Sequence, residues 1–530
     1  MKREAVMLRG MLASGAVLTA MTLVFPQIGI LEWITLIPVC AAAFRLCQTD
    51  GVSLWRAYRY GFFTVFCFYF VIYHWIVSMY PLDFAGLEGA AGIIVIAVAW
   101  VGLSALRALV GGLMFLWFRL LHRCGIFSRI PILRPFLFAA LWSIFEWAAT
   151  LTFAGVPWGR LALGQIRLLP MLGISSWFGS YFVTFLLVAV NGLLAEVLFF
   201  KHKRLLCLLL SAGLLVGNLT FGLIWQHTEN LGSKTIRVAA IQANISSYDK
   251  WTSSEQEKKI YADLTRTAAA DGARIVVWPE TALPYELNKS PQSQAFVSDL
   301  AKETGVTLFV GALRTGEDGN LYNSIFLVYP DGSFSEGVYD KQHLVPFGEY
   351  VPLRRLVLAL IPPLAEVSTL DEDLEPGRDA SVFQTEFGKV GALICFDSIY
   401  ENLAIDSARN GAELLILSTN DSWFYDSAAV YQHEAQAKLR SIETGKDMIR
   451  AANTGISALI DSKGNAKEEI PPLEQGYSIG TVTLRSSGSL YSYIGNLFVY
   501  LCLAVAGIPV LLFLIQKCIS FQQKKQSKKD

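Results

Sequence analysis

Eight apolar runs, each long enough to cross a bilayer, limit what this chain can fold into: 8–25, 28–48, 57–80, 89–119, 131–154, 170–200, 204–225 and, after a long gap, 492–516. A spanning helix takes about 20 apolar residues, and the longer runs leave room for tilt or short re-entrant ends. The first run follows Lys2 and Arg3 as a signal peptide would, but no clear small-residue cleavage site precedes the next run, so it is expected to stay as a helix. Composition agrees. The chain is 53% hydrophobic and 17% charged, too apolar for an ordinary soluble enzyme. Lys+Arg and Asp+Glu balance at 44 each, so net charge points to neither nucleic acid nor an acidic ligand.

The balance hides an asymmetry. Acidic residues concentrate between about 250 and 475, while the apolar remainder carries mainly Lys and Arg. Arg45, Arg56 and Arg59 follow the second run; Arg119, Arg123, Arg129 and Arg134 follow the fourth; Lys201, Lys203 and Arg204 follow the sixth. With seven crossings before residue 226, these residues share one side with Lys2, Arg3, Arg9 and the tail lysines 524, 525, 528 and 529. The positive-inside rule makes that side cytoplasmic. The expected layout is a membrane domain of seven helices at 1–225, an extracytoplasmic domain at 226–490, an eighth helix at 491–517 and a basic cytoplasmic tail at 518–530. Arg160 and Arg167 are mild exceptions to the charge pattern. His74 and Glu146 are intramembrane ionisable groups, candidates for function or for helix–helix hydrogen bonds.

The water-facing segment alternates strand and helix patterns. Strands are expected at 235–245, 275–278, 306–314, 323–329, 390–395, 414–418 and 477–484, with a further strand after the Asp331-Gly332 turn and a hairpin around 461–464. Helices are expected at 254–271, 293–304, near 398–410 and at 428–444. Such alternation implies an α/β layered core.

Three stretches carry chemistry. VGALICFDSIY (390–400) is an apolar strand run that delivers Cys395 to its end, where polar residues and a turn follow. The other seven cysteines (Cys40, Cys47, Cys67, Cys124, Cys207, Cys502 and Cys518) lie in or beside apolar runs, so Cys395 has no disulfide partner in its own domain. IVVWPETALP (275–284) breaks a buried strand at Pro279 and offers Glu280 beside Trp278, a setting that raises a carboxylate pKa and suits a general base. VYDKQHLVPFGEYVP (338–352) carries Lys341 and Glu349; a fixed ammonium suits an oxyanion or a thiolate. Each stretch also has an ordinary reading: a buried thiol, a loop glutamate, a surface lysine.

Taken in order, strand-end Glu, Lys and strand-end Cys match the triad of the nitrilase superfamily. WPETALP, DKQHLVPFGEYVP, ICFDSIY and STNDSWF, with seven spans, an external domain and an eighth span, resemble its membrane branch, the apolipoprotein N-acyltransferases. The resemblance implies a multi-pass helical membrane domain of about eight spans plus a nitrilase-like α-β-β-α sandwich. It implies that Cys395, deprotonated by Glu280, takes an acyl chain from a phospholipid, phosphatidylethanolamine at its sn-1 position, as a thioester. The N-terminal amine of a diacylglyceryl-cysteine apolipoprotein then takes the chain from sulfur. Lys341 would steady the oxyanion, and Glu349 would orient Lys341 or aid proton transfer. Trp251 would help place lipid or substrate. Trp423, Phe424 and Tyr425 are further candidate substrate contacts. No cofactor or metal is implied, and the expected state is a monomer in the bacterial inner membrane with its catalytic domain on the periplasmic side. Where the family often has Tyr-Glu after the nucleophile, this chain has Phe396-Asp397, which shortens the acid by one methylene.

Stretch 353–370 is unusually apolar and reads as an amphipathic arm at the interface, or a lid; a core helix is the alternative. A membrane-tethered amidase cleaving carbon–nitrogen bonds would use the same triad without needing eight spans. A transporter or scaffold is the reading from another class, but the spans lack the repeats and broken helices of transporters. The six histidines are scattered, and His433-Glu434 lacks the second histidine of a zinc helix.

Overall fold

The computed structural model describes residues 2–49, 51–82, 89–151, 156–201, 203–228, 234–246, 254–355 and 373–526, without the side chains of 2, 128, 129 and 524–526. The chain divides into two compact units. One comprises Met1–His74, Ala99–Gln226 and Asn496–Asp530; the other comprises Trp75–Val98 and His227–Gly495.

Among the described residues, seven helices are long and apolar enough to cross a membrane: Arg3–Val24, Pro26–Gln48, Leu54–Met79, Gly89–Arg123, Ser180–Phe200, Arg204–His227 and Leu497–Gln523. The run expected to span at 131–154 forms a 16-residue helix, Leu133–Ala148, and residues 152–155 lie outside the described set. Pro135 sits in its first turn, where a missing N–H costs nothing. Most of the helix is buried, so it packs against protein where the longer helices present apolar side chains outward. It runs antiparallel to Ser180–Ala195. Arg134 meets Glu196 at 2.9 Å at one end; at the other, Thr184 Oγ1 donates to Glu146 Oε2 at 2.7 Å and Ser143 Oγ donates to the Tyr181 carbonyl at 3.0 Å.

Arg160, expected as a loop charge, is instead buried, and its guanidinium donates to Ser180 Oγ at 2.8 Å and Tyr181 Oη at 3.1 Å. Glu146 also accepts from the Leu161 amide at 2.9 Å. Polar groups in an apolar bundle must find partners, and these two tie the 156–165 segment to its neighbours. His74 Nδ1 lies 2.8 Å from the Val71 carbonyl, a contact within its own stretch of helix.

The second unit contains two sheets. One has β1 (Lys234–Gln242), β2 (Ile275–Val277), β3 (Leu283–Glu286), β4 (Thr307–Thr315), β5 (Leu321–Val328), β6 (Tyr339–Asp340) and the late β13 (Gly476–Leu484), in the order β13-β1-β2-β4-β5-β6 with β3 beside β4. The other has β7 (Val382–Gln384), β8 (Lys389–Ile394), β9 (Leu414–Thr419), β10 (Met448–Ala452), β11 (Ser457–Ile460) and β12 (Ala466–Ile470), in reverse sequence order across the sheet. β1, β2 and β4 are mutually parallel, as are β8, β9 and β10. Side chains alternate faces along a strand, and β1 shows the result. Ala239 and Ile241 face helices Ser254–Ala270 and Pro291–Thr304, packing with Tyr261 and Leu300. Ile236, Val238 and Ala240 face the other sheet, packing with Val390, Ile394 and Ile416. Helices Glu401–Arg409 and Ala428–Thr444 pack on the second sheet. The unit is an α-β-β-α sandwich.

Three local expectations change. The strand after Asp331-Gly332 is reduced to a single bridge, Val328 to Phe334. The helix near 398–410 divides into a 3-10 turn, Cys395–Ile399, and helix Glu401–Arg409. β10 went unforeseen because Arg450, buried in its middle, interrupts the apolar pattern.

Candidate active site

Glu280 stands just past the C-terminal end of β2. Its backbone crosses β4 at Gly311, where an added Cβ would come within 2.2 Å of the Pro279 carbonyl oxygen, so only glycine lets the strands approach there. Trp278 turns to the helix side, stacks on Tyr261 at 4.7 Å and donates from Nε1 to Thr265 Oγ1 at 3.0 Å. It anchors the strand end and leaves Glu280, 6% exposed, to other neighbours.

The nearest is Lys341, one residue past β6 and 1% exposed. Its Nζ donates to Glu280 Oε1 at 2.7 Å and pairs with Glu349 Oε2 at 2.9 Å. Its amide donates to the Asn323 carbonyl at 2.8 Å, fixing the backbone beneath the ammonium. Burial opposes the Lys341 charge, but Glu280 and Glu349 outweigh it and hold its pKa well above the ordinary lysine value. Lys341 is therefore a permanent cation. Asn323 completes the cluster: its Nδ2 donates to Glu280 Oε1 at 2.8 Å and to Glu349 Oε1 at 2.9 Å. Glu349 Oε2 also accepts from the Val345 amide at 2.8 Å, which pins the loop that carries it.

Cys395 opens the 3-10 turn after β8 with φ at +47°. A non-glycine residue there costs about 1–3 kcal/mol and persists only where its surroundings hold it. The thiol is buried among groups that act on its charge. Burial pushes its pKa up, Glu280 and Asp421 push the same way, and Lys341 and a hydrogen bond from Thr419 pull it down. The upward influences win. Cys395 rests as a thiol, so the ammonium alone does not hold it as thiolate and a base must take the proton when it reacts.

Asp397 locks the lysine loop to the Cys395 turn. Its Oδ2 accepts from Tyr339 Oη at 2.8 Å and from the Ile394 amide at 3.1 Å, and its Oδ1 accepts from the His343 amide at 2.8 Å. The shorter acid thus reaches all three donors. On the far side of the turn, His433 Nε2 lies 3.1 Å from the Cys395 carbonyl oxygen and His433 Nδ1 lies 2.7 Å from Asp421 Oδ1. Arg450 pairs with Asp421 Oδ2 at 2.8 Å. Ligating atoms of Cys395, Asp421 and His433 fall within 4.8 Å of one another. With the cations of Arg450 and Lys341 beside them, their geometry is that of a hydrogen-bonded relay.

The chain as a whole has named relatives. The protein named apolipoprotein N-acyltransferase from Geobacter metallireducens is 31% identical over 521 residues, covering 96% of this chain and 95% of its own. The chain belongs to the apolipoprotein N-acyltransferase family. A Gloeobacter violaceus protein of the same name is 31% identical over 504 residues, covering 94% of this chain and 92% of its own. The model of the apolipoprotein N-acyltransferase N-terminal domain matches residues 14–193, and that of the carbon-nitrogen hydrolases matches 237–491. Among solved structures, Saccharomyces cerevisiae Nit3, a member of branch 10 of the nitrilase superfamily, matches 49% of this chain and 93% of its own at 21% identity, with a TM-score of 0.37. As a member of this family the chain is a multi-pass membrane enzyme.

Glu280, Lys341, Glu349 and Cys395 come together in this acyltransferase-family chain, with Asn323 and Asp397 between them. Trp251 and most of the apolar stretch 353–370 lie outside the described residues. Trp423 and Phe424 belong to the 3-10 turn after β9; the Phe424 ring meets Trp75 edge-on at 5.1 Å, and Tyr425 follows, exposed, with φ at +47°. Asn323, His433 and Arg450 have no sequence signature as site residues. Asn323 lies within a strand pattern, and His433 and Arg450 become visible only once helix Ala428–Thr444 and β10 are folded beside the turn.

Proposed function

We propose that this protein transfers a fatty acyl chain from a membrane phospholipid to the N-terminal amine of a diacylated apolipoprotein, through a thioester on Cys395. The observation that carries this is the buried Lys341 ammonium bridging Glu280 and Glu349 beside a protonated thiol held on a strained turn. Glu280 takes the thiol proton as Sγ attacks the ester carbonyl and passes it to the departing lysophospholipid oxygen. Lys341, with a backbone N–H of the Cys395 turn, faces the oxyanion. In the second half, the acceptor amine attacks the thioester, Glu280 takes the amine proton, and the thiol is restored with an amide formed. Splitting ester-to-amide exchange this way replaces one difficult step by two easier ones. Glu349 orients Lys341. Trp251, Trp423, Phe424 and Tyr425 serve as substrate contacts, phosphatidylethanolamine is the donor, and the protein acts as a monomer in the bilayer.

The catalytic unit lies on the periplasmic side of the bacterial inner membrane. Helix Gly89–Arg123 ends in Arg119 and Arg123, and Ser180–Phe200 is followed by Lys201, Lys203 and Arg204. If both basic ends are cytoplasmic, the chain crosses once between them. Leu133–Ala148, running the length of its antiparallel neighbour with Arg134 at the Glu196 end, supplies that crossing. Seven crossings then precede residue 228.

Mass spectrometry of the full chain with phosphatidylethanolamine vesicles tests the chemistry. The expected result is an acyl adduct on Cys395 that discharges into a triacylated product when a diacylated lipopeptide is added. Free fatty acid released without the lipopeptide would indicate a hydrolase instead, and an adduct formed at full rate by Glu280→Gln would remove Glu280 as the base.

A further inference from the structure

Cys395 is clasped at both ends by groups that radiate from one buried carboxylate. Asp421, at the end of β9, is fully buried, and its Oδ1 lies 3.4 Å from Thr419 Oγ1, the hydroxyl that hydrogen-bonds the Cys395 sulfur. The same Oδ1 lies 2.7 Å from His433 Nδ1. The other edge of that imidazole, Nε2, lies 3.1 Å from the carbonyl oxygen of Cys395 and 3.0 Å from Ser398 Oγ, which itself donates to that carbonyl at 2.8 Å. Behind them Arg450, buried in β10, donates to Asp421 Oδ2 at 2.8 Å and to the Ile456 carbonyl. Gly455 closes the back, since a Cβ there would meet Asp421 Oδ2 at 2.2 Å.

The Cys395 carbonyl is the group a left-handed residue turns out of register with its strand. A φ of +47° at a residue with a side chain survives only if its neighbours hold it. Here Ser398 Oγ donates to that oxygen at 2.8 Å, and the His433 ring presents Nε2 to it at 3.1 Å. A hydrogen bond donated to that oxygen draws electron density along the peptide that carries the Phe396 N–H, and linked hydrogen bonds strengthen one another. That amide lies in the first turn of a 3-10 helix, where N–H groups have no helical partner.

We propose that His433, backed by Asp421 and Arg450, is a positioning residue for acyl transfer: it grips the carbonyl oxygen of Cys395, keeps the nucleophile in its left-handed turn and sharpens the adjoining amide toward the developing oxyanion. This rests on Cys395 being the nucleophile, as proposed above. His433 exchanges no proton with substrate. Its part is to hold the sulfur where the ester carbonyl arrives, and a misplacement of about 1 Å costs on the order of 100-fold in rate.

The test compares the full chain with His433→Ala and His433→Gln in phosphatidylethanolamine vesicles, following adduct formation on Cys395 and then overall transfer to a diacylated lipopeptide. Glutamine keeps an N–H donor near the position of Nε2, and alanine removes it. His433→Ala is expected to slow adduct formation and lower kcat about 100-fold with KM for lipid within about twofold of the parent, and His433→Gln to recover most of the loss. A His433→Ala rate within about twofold of the parent, or a His433→Gln rate no better than His433→Ala, overturns the assignment. If His433→Ala fails to fold, Ser398→Ala reads the same carbonyl contact. A kcat lowered about tenfold at constant KM supports the clasp, and an unchanged kcat overturns it. Absence of any adduct on the parent itself counts against Cys395 as the nucleophile, a different failure from the parent and His433→Ala reacting equally fast.

Discussion

Two charged clusters meet at Cys395, and they are built in opposite senses. Lys341 lies between two carboxylates, Glu280 and Glu349, so that cluster carries an excess of negative charge. Asp421 lies between Arg450 and His433, so its carboxylate is saturated. Burial pushes the Asp421 pKa up, but His433 and Arg450 outweigh it and hold the group well below the usual carboxylate range. A carboxylate so held cannot take a proton at working pH. Of the two acids that act on the thiol, Asp421 is thereby set aside as the base, which leaves that role, as proposed above, to Glu280. The contrast is one of surroundings: in one cluster a single ammonium is shared by two carboxylates, and in the other a single carboxylate is enclosed by Arg450 and His433.

The comparison can be broken at several points. Cys395→Ala should abolish the acyl adduct, and Glu280→Gln should slow its formation about 10²–10⁴-fold. Asp421→Asn, by contrast, should lower kcat without moving the pH at which the base titrates; a shifted pH profile in that variant would mean the wrong carboxylate has been assigned. Lys341→Met should cost about 10²–10³ in kcat by removing the charge opposite the oxyanion, and it leaves Glu280 and Glu349 buried without their cation. Glu349→Gln can keep the Asn323 contact through its amide oxygen but gives up the acceptor for Lys341 and the Val345 amide, so a loss of about tenfold is expected, well short of Glu280→Gln. Equal losses in the two variants would erase the distinction between base and orienter.

The smallest effect concerns pH and stability where the lysine loop meets the nucleophile turn. Burial brings the His343 imidazole down to about 4 and pushes the Asp397 carboxyl up to about 6. A histidine with a depressed folded pKa contributes stability present above its unfolded value, about 6.5, and lost as pH falls toward 4. An aspartate with a raised folded pKa does the reverse: its contribution is full below about 3.9 and is lost as pH rises through 6. In the parent the two trends oppose each other between pH 6.5 and 4. In His343→Gln, thermal stability should therefore rise as pH falls from 6 to 4, and in Asp397→Asn it should fall over the same window. Melting temperatures of the solubilised chain at pH 4, 5, 6 and 7 distinguish the two slopes.

Much of this was readable beforehand because apolar periodicity and strand-end placement are local. The strand runs ending at Val277 and Ile394 point to Glu280 and Cys395 without any knowledge of the fold, and long apolar runs announce helices. Contacts that span the chain were not readable. Asn323 bridges two carboxylates 43 and 26 residues away, and His433 reaches back 38 residues to the nucleophile's carbonyl. A histidine followed by glutamate on a helix invites the question of zinc, and the answer depends on what lies opposite the ring. Leu133–Ala148 shows a similar limit. Its apolar run gives a helix, but only the Arg134–Glu196 and Thr184–Glu146 contacts show that it pairs with a neighbour along its length.

The base and the sulfur come from different sheets: Glu280 follows a strand of the first and Cys395 a strand of the second, with an apolar layer between. The pairing of acid and thiol is thus a product of the completed sandwich: neither sheet alone holds both groups, and only their face-to-face closure brings the two strand ends to one place.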